Sequence, residues 1–219
     1  MPTQTHPSRR ALVLFAAGVA WFGLGLQLEV TLAAAAARDK SLLTATWEFL
    51  SYFTVLTNVL VALALTFHAY PSRVGRFFRK PSVLSALVMD IVLVAVTYNL
   101  LLRRLWRPQG LGRVADETLH VVTPLLYILF WWLVVPKGTT AWRNVPRWLA
   151  YPLGYLVYAL LLGTLVGFYP YYFLDVTALG VPTVLLYVAA LAAALLVLGV
   201  LLVAIDRALG RRSGGGGAL

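Results

Sequence analysis

Ser51 and His120 are the two side chains in this sequence best suited to covalent chemistry. A hydroxyl becomes a nucleophile when a base within hydrogen-bond reach takes its proton, and an imidazole titrating at about 6.5 can accept and return that proton at neutral pH. Ser51 lies in the stretch Trp47-Glu48-Phe49-Leu50-Ser51-Tyr52-Phe53-Thr54-Val55-Leu56-Thr57-Asn58. Read as a helix, this stretch puts Glu48, Ser51, Thr54 and Asn58 on one face, because they are spaced by three, three and four residues. Asp116, His120, Thr123 and Tyr127 share a face by the same rule. Asp116, one turn before His120, is placed to fix the imidazole tautomer as the third member of a triad does. Thr54 offers a second hydroxyl. Asn58, Asn99 or Arg103 could donate to a developing oxyanion. Glu48, Arg103, Tyr172 and Asp175 are the candidate substrate contacts.

Each of these residues also has a purely architectural reading. A serine in an apolar helix commonly bonds back to its own backbone, and Asp116 reads equally as a helix N-cap. Glu48 reads as a first-turn charge that complements the helix dipole. Asn58 and Asn99 read as hydrogen-bonding glue between helices, and Tyr171 and Tyr172 as an interfacial aromatic belt. Gly163 and Gly167 have the spacing of a close-packing motif.

The elements that must position these groups are membrane helices. Of 219 residues, 61% are hydrophobic and 12% charged, with a mean hydropathy of +0.82. A soluble domain is nearer half apolar and a quarter charged. Six apolar blocks, at roughly 11–36, 46–69, 81–105, 117–135, 147–167 and 180–206, are each long enough to cross a bilayer. The expected fold is all-α, a polytopic bundle of six transmembrane helices over 11–208. It is flanked by a disordered basic N-terminus (1–10) and a flexible glycine-rich tail (209–219). The block at 11–37 is too long, and too polar at Gln27 and Glu29, for a cleaved signal peptide.

The net charge of +10 does not point to nucleic acid, because the basic residues fall between apolar blocks. With six spans, one side holds twelve Lys and Arg (Arg9, Arg10, Arg73, Arg76, Arg79, Lys80, Lys137, Arg143, Arg147, Arg207, Arg211 and Arg212) and the other holds the remaining six. The positive-inside rule then puts both termini in the cytoplasm, and Ser51, His120 and most of the polar intramembrane residues in the outer half of the bundle. The absence of cysteine excludes disulfides, thiolate metal sites and cysteine nucleophiles. Three scattered histidines do not suggest a metal site, and no cofactor is expected. Asp90 stands apart in the third span. It reads as a partner of His68 or, with Glu29, as an ion- or proton-carrying acid.

The segment Trp47-Glu48-Phe49-Leu50-Ser51, the segment Leu119-His120-Val121-Val122-Thr123-Pro124 and the aromatic stretch ending Phe173-Leu174-Asp175 together resemble the androgen-induced-gene family of multi-span membrane hydrolases. The likeness covers about 11–206. Tyr52–Asn58 and Tyr98–Arg103 look like features of a bacterial branch of that group. The resemblance implies a threonine nucleophile and a histidine acting on fatty acid esters of hydroxy fatty acids. By position these roles fall on Ser51 and His120, with serine standing where the family has threonine. The expectation is thus a lipid-ester hydrolase, or acyltransferase, of the bacterial inner membrane whose partner is a membrane lipid or fatty-acyl ester. The alternatives are a transporter using Asp90 and Glu29, or a lipid-binding protein without catalysis.

Overall fold

The structure, a computed structural model, describes residues 7–105 and 107–214. Among them the chain is helical throughout, with no strand. Five helical segments have the length and apolarity of a membrane span: Pro7–Ala36, Pro81–Leu102, Gly110–Val134, Trp142–Val166 and Val181–Arg212. A sixth is made by the bent pair Leu42–Leu50 and Phe53–Ala69. The protein is an all-α, polytopic integral membrane protein. It divides into two compact units, Met1–Pro136 and Lys137–Leu219.

The first unit contains α1 (Pro7–Ala36), α2 (Leu42–Leu50), α3 (Phe53–Ala69), α4 (Pro81–Thr97), α5 (Gly110–Glu117) and α6 (Thr123–Val134). Two π-helical turns interrupt it, Tyr98–Leu102 after α4 and Thr118–Val122 between α5 and α6. Its centre is α3, whose Val61, Ala62, Ala64 and Leu65 are wholly buried. Small residues of α1, among them Ala16, Ala17 and Ala20, are also buried, which lets backbones approach closely where lipid supplies no hydrophobic drive. Polar pins fix the register. Trp21 Nε1 donates to Thr66 Oγ1 at 3.0 Å, Tyr127 Oη to the Leu84 carbonyl at 3.2 Å, and Trp131 Nε1 to Ser85 Oγ at 2.9 Å. With Tyr98 stacked on His120 at the other end, these contacts make α4 and α6 antiparallel. Contacts of Asn58 with Leu119 and of His68 with Phe130 make α3 and α6 parallel.

The second unit holds α7 (Val145–Trp148), α8 (Ala150–Val166), α9 (Val176–Leu179) and α10 (Val181–Gly214). Gly167 ends α8 at φ 74, in the left-handed region that glycine enters without steric cost. Gly163 leaves room for the Tyr169 ring, so this glycine pair serves the turn after α8 rather than a helix crossing. Near the end of α10, buried Asp206 accepts from Thr140 N at 2.9 Å and from Thr140 Oγ1 at 2.6 Å. The Asp206 carbonyl accepts from Gly138 N at 2.9 Å. One residue thus clamps the connection that leads into α7.

Several expected boundaries move. The first helix begins at Pro7 and takes up Arg9 and Arg10, which were expected to be disordered. Proline suits a first helical position, because its missing N–H has no partner there in any case. The last helix continues through Leu209–Gly214, where Arg211 and Arg212 complement the negative end of its dipole. Residues 1–6 and 215–219, the rest of the expected disordered and flexible ends, lie outside the described residues. The fourth block starts at Gly110 rather than at 117. Asp116 is therefore inside a helix and is not its N-cap. The second block is not one helix, since α2 and α3 meet at 74°.

Candidate functional site

The break between α2 and α3 falls on Ser51 and Tyr52. Ser51 closes α2 in helical geometry, and Tyr52 turns to extended geometry at φ −84, ψ 132 before α3 begins. Ser51 Oγ donates to the Trp47 carbonyl at 2.8 Å, giving the last turn of α2 a side-chain donor. Its residue is fully buried. The single face expected to carry Glu48, Ser51, Thr54 and Asn58 is therefore split between two helices. Glu48 stays on the α2 side, where both carboxylate oxygens pair with Lys40 Nζ at 2.6 and 2.5 Å. It ties down the turn after α1 instead of facing a substrate.

On the other side of the site, α5, the following π-helical turn and the end of α4 gather a compact ionisable cluster. His120 Nδ1 lies 2.9 Å from the Asp116 carbonyl oxygen and 3.2 Å from Asp116 Oδ1. Tyr98 Oη donates to Asp116 Oδ2 in a short hydrogen bond. The Tyr98 and His120 rings stack, with centroids 3.7 Å apart and planes at 16°. Arg103 makes a two-pronged pair with Glu117, both contacts at 2.8 Å, and its guanidinium lies 5.4 Å from the centre of the Tyr98 ring. Hydrogen bonding to Glu117 pushes the Arg103 pKa up from an already high value, so Arg103 is a fixed cation at the rim. Asp116 is buried, while the His120 side chain is 13% exposed.

A π-helical turn inserts one extra residue per turn and rotates the following side chains about the axis. Here two such turns, Tyr98–Leu102 and Thr118–Val122, face each other through Tyr98 and His120. With Nδ1 held by Asp116, His120 keeps Nε2 for chemistry. This is the histidine–carboxylate half of a triad, and the arrangement can take and return a proton.

The cluster meets α3 through one amide. Asn58 Nδ2 donates to the Thr54 carbonyl at 2.8 Å and to the Leu119 carbonyl at 3.3 Å. That locks the first turns of α3 against the segment carrying His120. Phe49, Val55 and Leu119 share one apolar core cluster, so the chain on both sides of Ser51 packs with the residue just before His120. No hydrogen bond joins Ser51 to His120.

Four residues expected in the site are engaged elsewhere in the structure. Asn58 spends its donor on backbone carbonyls and has none left for an oxyanion. Asn99 is exposed and donates to the Ala95 carbonyl of its own helix at 2.8 Å. Asp175, in the second unit, is the N-cap of α9 and accepts from Thr177 N at 2.9 Å and Ala178 N at 3.0 Å. Tyr172 is 42% exposed and sits in an aromatic group with Phe173 and Tyr187, where burial pushes its phenol pKa up. Thr54 is the other hydroxyl of this region, one turn before Asn58 in α3 and 9% exposed.

Asp90 and His68 are not partners. His68 packs edge-on against Phe130 at 5.0 Å, and Asp90 Oδ1 has no hydrogen-bond partner. Glu29 is on an exposed face of α1. The residue that sequence reasoning missed is Tyr98. Its position at the end of the third block was visible, but its stacking depends on π-helical turns that residue spacing does not reveal.

Compared with known proteins, the chain matches no family model, no curated protein and no solved structure.

Proposed function

We propose that the protein is an intramembrane hydrolase of lipid esters, using a hydroxyl nucleophile at the α2–α3 break and His120 as its base. The observation that carries the reading is the Asp116–His120 contact at 3.2 Å. It is a buried carboxylate orienting one imidazole nitrogen and leaving the other for proton transfer. An ionisable pair placed in a membrane span is costly, and such groups mark function by default.

In this reading Ser51 exchanges its bond to the Trp47 carbonyl for one to His120 Nε2 and attacks the ester carbonyl as its proton passes to that nitrogen. The negative charge that develops on the carbonyl oxygen lies beside the N-terminus of α3, which begins two residues after Ser51 and carries the positive end of a helix dipole. His120 then protonates the leaving alcohol. Water deprotonated by the same nitrogen releases the fatty acid and restores the serine hydroxyl. A lipid hydroxyl in place of water would make the product a new ester. Thr54 takes the nucleophile's place if the attacking group comes from the first turn of α3. The distribution of Lys and Arg supports an inner-membrane protein with both termini in the cytoplasm, which puts the site in the outer leaflet.

The test is a hydrolysis screen over long-chain esters with purified wild type, Ser51→Ala, Thr54→Val and His120→Ala, beside labelling by a fluorophosphonate. His120→Ala should lower turnover by about 100- to 10,000-fold, the range that a general base supplies. Ser51→Ala should abolish both turnover and labelling. Loss of labelling in Thr54→Val alone would transfer the role to Thr54. Equal turnover in all four proteins would end the proposal.

A further inference from the structure

Among the described residues, six buried side-chain polar atoms of the first unit have no hydrogen-bond partner: the Nε atoms of Arg79 and Arg103 in the connections and, within the spans, Asn58 Oδ1, Thr123 Oγ1, Asp90 Oδ1 and His68 Nδ1. Buried polar atoms in proteins are nearly always satisfied, by protein or by water, because leaving one bare in an apolar medium costs several kcal/mol. The four within the spans therefore need a common explanation.

The pairings already described fix their levels along α6. Asn58 is level with Leu119, whose carbonyl it touches. Thr123 lies one turn further along. Asp90 follows, because its helix runs antiparallel to α6, Ser85 is level with Trp131 and Tyr98 is level with His120. That places Asp90 level with Tyr127, whose phenol its carboxyl reaches electrostatically. His68 is level with Phe130. The four atoms thus fall in sequence along Leu119–Phe130, which covers the second π-helical turn and the first part of α6, about 17 Å of rise. Neighbours are separated by about 3–8 Å along the axis, gaps that a bound water or two can bridge.

Both ends of this row open onto something. At the Asn58 end it stops beneath Leu119, next to His120. At the His68 end is a cavity of about 310 Å³ lined by Arg9, Arg10, Val13 and His68. Asp90 itself is 2% exposed. It has no basic side chain bonded to it among the described residues, whereas His68, at the row's other end, feels the charge of Arg79.

We propose that this row conducts protons through the core of the first unit, with Asp90 as the obligatory carrier. A proton entering from the His68 cavity is handed through water to the Asp90 carboxylate, where an O–H bond forms. It leaves when a second water accepts it and the carboxylate is restored. The Thr123 hydroxyl and bridging water pass it towards His120, and Asn58 Oδ1 accepts a hydrogen bond that anchors the last water in the row. Arg9 and Arg10 at the cavity mouth repel hydrated cations such as sodium, which leaves the proton, relayed through hydrogen bonds, as the ion that passes. This function does not depend on ester hydrolysis.

The experiment reconstitutes the full chain in liposomes holding a pH-sensitive dye and drives protons inward with a potassium diffusion potential. Wild type should acidify the interior faster than protein-free liposomes. Asp90→Asn should abolish that excess, and Thr123→Val, which removes the hydroxyl at constant shape, should slow it. His68→Phe should slow it as well. If Asp90→Asn does not fold, Thr123→Val and His68→Phe carry the test. Acidification no faster than in empty liposomes, acidification that needs sodium, or flux equal to wild type in every folded variant would overturn the proposal.

Discussion

Tyr98 is the residue on which the chemistry of the first unit converges. It donates to Asp116, covers the His120 ring and supports Arg103. Removing its hydroxyl takes one donor from a buried carboxylate. Hydrogen bonds to charged groups are worth about 1.5–3 kcal/mol, so Tyr98→Phe should lower the stability of the purified protein by about that much, measured by thermal or denaturant unfolding in detergent. It should also alter catalysis in a diagnostic way. With one fewer partner on Asp116, the His120 ring is oriented less firmly, so kcat for ester hydrolysis should fall in Tyr98→Phe while KM stays unchanged. A variant that is less stable but keeps the wild-type kcat would show that Tyr98 is purely structural. The Asp116–His120 pairing could be read from a four-residue spacing. The Tyr98 contact could not, because it joins two segments that are 18 residues apart through irregular turns.

At the scale of elements, the spans were legible because apolar block length is a strong signal. The irregularities were not. The α2–α3 break contains neither proline nor glycine, the usual marks of a broken helix, and the bond from Ser51 back to the Trp47 carbonyl at the break is a matter of rotamer. Likewise no residue spacing marks Asp206, whose clamp on Thr140 and Gly138 joins segments far apart in the chain. That clamp yields a pH prediction for the second unit. Burial lowers the pKa of Lys137, between the spans, from 10.5 to about 8, and Asp206 partly opposes the shift. Between these two values the unfolded chain binds more protons than the folded one, so stability should rise with pH across that window. Below about 8 the lysine is charged in both states and contributes no slope. Lys137→Gln should remove the rise. Asp206→Asn should extend it to lower pH, because the opposing charge is gone, and should weaken the loop by unpairing Thr140. Thermal unfolding of the three proteins as a function of pH measures both effects.

At the scale of the whole molecule, everything proposed for the site depends on sidedness. The twelve-to-six partition of Lys and Arg assigns each connection to a leaflet. Within the first unit, the antiparallel course of α4 and α6 puts the Tyr98–His120 cluster and the His68 cavity at opposite ends. The chain has no cysteine, so a single introduced thiol reports its own position without background. Val74, at 82% exposure, and Leu105, at 66%, are open positions in two different connections, and Ala37, Thr139 and Thr177 are exposed in three others. Val74→Cys and Thr139→Cys should react with a membrane-impermeant maleimide only after the cytoplasmic face is opened. Ala37→Cys, Leu105→Cys and Thr177→Cys should react in intact cells. The inverse pattern would turn the molecule over. His120 would then draw its ester from the cytoplasmic leaflet, and the row through Asp90 would open outward at His68. Labelling of Ala37→Cys and Val74→Cys from the same side would be more damaging. It would mean that α2 and α3 form a re-entrant pair rather than one bent span, and the Lys and Arg count would have to be redone for every connection after it.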